Sequence, residues 1–174
     1  MGVRPQVVVV GAGFGGLAVA RGLGDEPVEV TLVDQHNFTT FQPLLYQVAT
    51  AGLNAADVAH PVRGLFHRHR NVTFRRGRVV GVDWERREVL LDEPAGRLPF
   101  DHLVVAVGAV TTWFGVPGAR EHTLPLYTLD DAVAARNHVL ERFEEADADP
   151  SLVDRGALTF TVVGGGPTGV EIAG

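Results

Sequence analysis

The sequence predicts an α/β fold in which a parallel sheet is flanked by helices, and three observations predict it. An apolar β-branched run at residues 7–10 stops abruptly at Gly11, as a strand buried on both faces does. Gly11, Gly13 and Gly16 then follow in G-x-G-x-x-G spacing at the head of a helical segment. A second alternating run ends at Asp34, about twenty residues on, which completes a β-α-β unit with an acid at the end of its second strand.

Each element has its own signature. Residues 7–10 are all Val, and residues 14–24 read as a helix that turns small residues toward them. Val28, Val30 and Leu32 alternate with Glu29 and Thr31, the period of a strand, ending at Asp34. Residues 37–53, NFTTFQPLLYQVATAGL, carry no charge; they are too interrupted for a long helix and too apolar for a free loop, so they are expected to line something. A helix is expected over 55–70, disturbed early by Pro61. Strands are expected at 71–74, 78–83 and 88–92, the last two joined by the charged turn residues 85–87 as in an antiparallel meander. Residues 102–107 return to the buried-strand pattern and end at Gly108. Over 128–146 Thr128 is placed to cap a helix, Asp131 stands three residues on, and Leu129, Ala132, Val133, Leu140 and Phe143 share one face. Residues 158–163 read as another buried strand, stopping at Gly164.

Composition narrows the chemistry. With 174 residues, 45% hydrophobic and 21% charged, the chain has the material of about one folded domain and is not a disordered segment. It has no Cys, which excludes a disulfide framework, a thiolate metal site or a redox-active cysteine pair within these residues. All 15 Lys-or-Arg positions are Arg, so neither a Schiff-base lysine nor a Walker A loop exists here. Ser151 stands alone, without the glycine context of a hydrolase nucleophile. His60, His67 and His69 sit among arginines with only Asp57 near in sequence, so no metal site is expected. The uncharged residues 35–56 carry too many polar and turn-forming side chains for a membrane span. Arg4 followed by apolar residues imitates a secretory leader, but Gly11, Gly13, Gly15, Gly16 and Asp34 account for that stretch better.

Charge is uneven, with net +6 over residues 63–87 and net -7 over 121–154. A basic cluster is a footprint for nucleic acid or anionic lipid, or else a solvated face. The lysine-free composition favours the solvated face, and nucleic acid is not expected among the partners.

Each glycine of the first motif has a task. Gly11 permits the tight strand-to-helix turn, Gly13 lets the backbone approach a pyrophosphate, and Gly16 with Ala20 lets helix and strand pack closely. The helix start offers unpaired N–H groups and a positive dipole end to phosphates, and Asp34 is placed to accept both ribose hydroxyls. Gly164, Gly166, Gly169 and Ala173 repeat the arrangement. Two such motifs imply two dinucleotides, as in an enzyme that passes a hydride from a nicotinamide to a flavin. Because Gly174 falls inside the second helix, before any second ribose-binding acid, the chain reads as the N-terminal part of a protein about twice as long.

These residues resemble the two-dinucleotide-binding flavoproteins, and among them the type II NADH dehydrogenases, the non-proton-pumping NADH:quinone oxidoreductases. The resemblance covers the whole chain and rests on FQPLLYQVATAGL after the ribose acid, on HLVVAVGAVTTWFGVPG, and on GGGPTGVEIAG. It implies an α/β fold: a Rossmann-like FAD-binding domain over residues 1–126, with parallel sheet, helices and antiparallel β-meander but lacking its C-terminal part. Residues 127–174 then form a linking helix and the truncated start of a second, NAD(P)-binding Rossmann-like domain. It implies FAD as cofactor, held by Gly11, Gly13, Phe14, Gly15, Gly16, Asp34, Gln42, Pro43, Leu44, Val79, Ala106 and Gly108. Val107 replaces the family's Thr in A-T-G, which removes a hydroxyl and leaves the backbone geometry available.

The resemblance further implies NADH as substrate, held by Gly164, Gly166, Pro167, Thr168 and Gly169, with Glu171 as a catalytic group near nicotinamide and quinone. Glu171 is equally explained as an anion in the first turn of a helix. Electrons would pass from NADH through FAD to a membrane quinone without charge translocation. The whole protein would be cytoplasmic, peripheral on the inner face of the cell membrane through segments beyond residue 174, and a candidate homodimer. Two alternatives stay open: another FAD-dependent NAD(P)H oxidoreductase such as a ferredoxin-reductase-like enzyme, or a non-catalytic module whose basic patch binds nucleic acid or anionic lipid. Disulfide reductases and sulfide:quinone reductases fit less well, because both store electrons on cysteines.

Overall fold

The computed structural model describes residues 4–92 and 96–174. In chain order its elements are β1 (Gln6–Val10), α1 (Phe14–Gly22), β2 (Glu29–Asp34), β3 (Phe38–Thr40), a 3-10 turn (Gln42–Leu44), α2 (Leu45–Ala49), α3 (Ala55–Val58), β4 (Ala59–Pro61), α4 (Val62–Leu65) and β5 (Val72–Arg76). There follow β6 (Val79–Asp83), β7 (Glu88–Leu91), β8 (Arg97–Pro99), β9 (His102–Val105), α5 (Ala119–His122), α6 (Leu129–Ala148), α7 (Ser151–Asp154) and α8 (Pro167–Ala173). They form two compact units, one of the residues up to Thr39 with His60–Ala109, the other of Thr40–Ala59 with Val110–Gly174.

The first unit has three layers. A parallel sheet in the order β5-β2-β1-β9 lies between helices on one face and the antiparallel sheet β6-β7-β8 on the other. This explains the unbroken valine run: Val7 and Val9 pack with Leu17, Ala20, Val62 and Phe66, while Val8 and Val10 pack with Val89, Leu91 and Phe100. Both faces of β1 are covered, and burying each valine contributes roughly 1.5 to 3 kcal/mol. Leu32 and Val33 divide between the same two clusters.

Four expectations are corrected here. The helix expected over 55–70 is broken into α3, β4 and α4, because Pro61 has no N–H to donate and takes a non-helical ψ of 121°. The helix from Phe14 ends at Gly22, and Leu23 caps it. The strand expected to reach residue 107 ends at Val105, which is 64% exposed; β9 is the sheet's edge, with no further strand paired on its outer side among the described residues. The meander has a third strand, β8, too short and Pro-terminated to leave an alternating pattern.

In the second unit the uncharged stretch forms the core: Leu45, Val48 and Ala49 of α2 are buried together with Val58 and Ala132. Helix α6 starts as expected, with Thr128 accepting from the Asp131 N–H at 3.1 Å and the Asp131 carboxylate accepting from the Thr128 N–H at 2.8 Å. Its predicted apolar face divides. Leu129, Ala132 and Val133 pack against the α2 cluster, whereas Leu140 and Phe143 are 47% and 52% exposed, because five-residue α2 spans only the first part of the 20-residue helix. Residues 158–163 are not a buried strand. Val163 is 81% exposed, and among the described residues no ladder partner exists for this segment, so most of its apolar side chains stay exposed. Among the described residues no helix is long and apolar enough to cross a membrane.

Candidate functional site

The chain runs from β1 to β2 and β5 on one side and returns to β9 on the other, so the strand order reverses at β1. In open parallel sheets ligands bind beyond the carboxyl ends of the strands at such a point. The first glycine motif occupies it. The Gly11 N–H donates to the Val33 carbonyl at 2.7 Å, and Gly11 has a φ of +102°, which favours glycine. A Cβ on Gly11 would overlap the Ala106 carbonyl oxygen, and one on Gly16 would overlap the Gly11 carbonyl oxygen. Gly13 differs: it has φ -82°, and a Cβ there would meet nothing within 4 Å. The protein's own packing therefore requires glycine at Gly11 and Gly16, but not at Gly13.

Gly13 is also the N-cap of α1, and no side chain caps that helix. The first-turn N–H groups of a helix lack intrahelical acceptors, so an uncapped start behind an open glycine suits an anion. Phe14 opens the helix with an exposed side chain, and a Cβ on Gly15 would come within 3.7 Å of the Ala106 Cβ. The Ala106 N–H donates to the Val10 carbonyl at 2.8 Å, and Gly108 turns the chain away with φ +72°. Asp34 lies beside them: its Oδ2 accepts from the Ala12 N–H at 2.7 Å and its Oδ1 from the His36 N–H at 2.8 Å. Each oxygen retains acceptor capacity for a hydroxyl. Val79 packs on the cluster that contains Val10 and Val33, the ends of β1 and β2. The structure thus assembles Gly11, Gly13, Gly15, Gly16, Asp34 and Ala106 at one edge.

The remaining candidates belong to the second unit. Gln42, Pro43 and Leu44 form the 3-10 turn before α2, where the Gln42 amide donates to the Tyr127 carbonyl at 3.5 Å. Gly164 has φ +114°, Gly166 is the uncapped N-cap of α8, and Pro167, Thr168 and Gly169 form its first turn. Ile172 packs α8 on the α2 cluster. Glu171 is the fifth residue of α8 and no acid lies in that helix's first turn, so the electrostatic explanation for it as a first-turn anion does not hold.

Three groups of contacts were hidden in the sequence. His69, with only Asp57 near in sequence, has its Nδ1 3.0 Å from the Asp25 carboxylate, a neighbour separated by 44 positions. Asn71 is buried, its amide donating to the carbonyls of Leu23, Glu26 and Val28 and its oxygen accepting from the Asp25 N–H. The basic cluster is partly committed internally: Arg63 donates to the Phe74 carbonyl at 2.9 Å and lies over the Phe74 ring, and Arg76 Nε donates to the Gln35 carbonyl at 3.2 Å. Among the described residues no group of three His, Cys, Asp or Glu is placed to hold a metal ion.

A parallel sheet, a glycine turn at its reversal point and an acid at the end of the second strand define a dinucleotide-binding α/β protein. The chain belongs to the pyridine nucleotide-disulphide oxidoreductase family, whose sequence model matches residues 5–174. It is 40% identical over its whole length to the type II NADH:quinone oxidoreductase NdhA of Mycobacterium tuberculosis, and 39% identical across 98% of its length to Ndh of that bacterium. It spans 38% of each of those relatives. Its fold is that of NDH2 from Plasmodium falciparum, with a TM-score of 0.82 at 23% identity, covering 97% of this chain and 36% of that one. The disulphide of the family's name has no counterpart in these residues, which contain no Cys.

Proposed function

We propose that this chain is the flavin-binding part of an NADH:quinone oxidoreductase, with FAD as its cofactor and NADH and a membrane quinone as the substrates of the whole protein. The observation that carries this is Gly13: an uncapped helix start opens behind a glycine that the protein's own packing does not require, beside an acid that fixes the turn. Gly13 to Gly16 would hold the pyrophosphate, Asp34 the adenosine ribose, and Gln42 to Leu44, Val79 and Ala106 to Gly108 the rest of the flavin. When bound, FAD would supply two-electron redox chemistry between NADH as donor and a quinone as acceptor. The NADH and quinone assignments are supported by the names of the mycobacterial relatives.

Residues 1–126 are assigned to the FAD domain and 127–174 to a linking helix and the opening of the NAD(P) domain, where Gly164, Gly166, Pro167, Thr168 and Gly169 would meet NADH and Glu171 would act near nicotinamide and quinone. Homodimerisation and a cytoplasmic location, peripheral on the inner face of the cell membrane, belong to the same proposal. The test uses the complete gene product. It should purify yellow, be bleached by NADH without oxygen, and recover its colour on addition of a quinone. A protein that takes up no FAD on titration overturns the proposal, and one bleached by NADH but not reoxidised by quinones overturns its quinone half.

A further inference from the structure

Asp34 and Arg76 are register partners at the carboxyl edge of β2 and β5. Val30 and Leu32, and likewise Val72 and Phe74, belong to the cluster on the α1 face, so by strand alternation Asp34 and Arg76 stand side by side on that face. Among the described residues no ion pair joins them. Each Asp34 oxygen accepts one backbone N–H, from Ala12 or from His36, and Arg76 is held through Nε by the Gln35 carbonyl. Its two terminal amino groups make no hydrogen bond among the described residues, and the side chain is exposed. A planar cation is thus held on a rigid strand, one position outward from the acid assigned to the ribose.

We propose that Arg76 is a binding residue for the adenine of FAD, its guanidinium plane forming the wall on which the base stacks. This rests on the assignment of the first glycine turn to FAD. With the pyrophosphate at α1 and the ribose at Asp34, the base would extend from the β1 end toward β5, whose last residue is Arg76. Arginine stacks on aromatic faces and is more weakly hydrated than an ammonium, which suits an exposed stacking wall. The Gln35 carbonyl fixes the plane in advance, so little side-chain entropy is lost on binding.

The experiment titrates flavin-free complete gene product with FAD and with a flavin dinucleotide carrying cytosine in place of adenine. Arg76→Ala should weaken FAD about three- to tenfold and the cytosine analogue distinctly less, since the smaller base offers less face to the cation. Arg76→Lys keeps the charge and loses the plane, and should recover only part of the loss. Thermal stability of the flavin-free protein should be unchanged in both variants. Equal losses for the two dinucleotides, full recovery by Lys, or a loss of FAD affinity that tracks a fall in flavin-free stability overturns the role of Arg76. Wild-type protein that binds neither dinucleotide overturns the FAD assignment beneath it.

Discussion

The two glycine turns have nearly the same backbone and opposite surroundings. Gly11 and Gly164 have φ of +102° and +114°, Gly13 and Gly166 are both uncapped N-caps, and a Cβ on Gly16 or Gly169 would overlap the first glycine's carbonyl while lying 3.5 Å from a valine, Val9 or Val162. Yet Val9 is fully buried in a four-stranded sheet, and Val162 is exposed with no strand beside it among the described residues. A Cβ on Gly11 would strike Ala106, whereas one on Gly164 meets nothing within 4 Å. The turn is therefore written locally, by glycine placement, while the strand that feeds it is made by its neighbours.

The sharpest way to break that comparison is to add the same methyl group to both turns. Gly16→Ala should destabilise the first unit by on the order of 3 kcal/mol, because the overlap with Gly11 is locked between sheet and helix; Gly169→Ala should cost about 1 kcal/mol or less, because its feeding segment is exposed and joined to no sheet among the described residues. Urea unfolding of the two variants measures the difference, and equal losses would show that both turns are equally constrained.

Gly13→Val separates fold from ligand at the first turn. Unfolding free energy should fall by no more than about 1 kcal/mol, since the new side chain meets open space, while FAD affinity should drop at least about tenfold. Normal flavin retention by the valine variant would remove Gly13 from the site. Asp34→Ala should likewise weaken FAD about tenfold, and unlike Gly13→Val it should also lower stability by roughly 1 to 3 kcal/mol, because the Ala12 and His36 N–H groups lose their charged acceptor. Calorimetry with and without flavin distinguishes the two patterns.

The smallest structural effect is expected in the second turn's helix. Glu171→Gln should change stability by less than about 0.5 kcal/mol, since Glu171 is exposed, yet slow the NADH-to-quinone turnover proposed for the complete gene product with both nucleotides still bound. Identical pH profiles of turnover for wild type and variant would leave Glu171 as a surface residue of α8.

What the sequence made legible follows the same division. Gly11, Gly13, Gly16 and Asp34 are spaced by local geometry, so the β-α-β unit and the candidate site could be read from the chain before any contact was known. Thr128 and Asp131 announced α6 for the same reason. The errors fall where distant residues decide. The apolar pattern of 158–163 is that of a buried strand, but pattern records a capacity for burial and cannot supply the partner. Leu140 and Phe143 match the α6 stripe, yet α2 is too short to reach them. Arg76 looked like one arginine of a solvated cluster, because its place beside Asp34 exists only through the β2–β5 register.

Asn71 has a consequence for how this chain can vary. Surface connections ordinarily tolerate insertions and deletions, and residues 23–28, between α1 and β2, are such a connection. Here one buried amide fixes the spacing of Leu23, Asp25, Glu26 and Val28 at once. A residue added or removed would leave a buried donor or acceptor unmet, at a cost of about 1 to 3 kcal/mol each. This connection therefore has a fixed length, and any change in it has to be accompanied by a change at position 71.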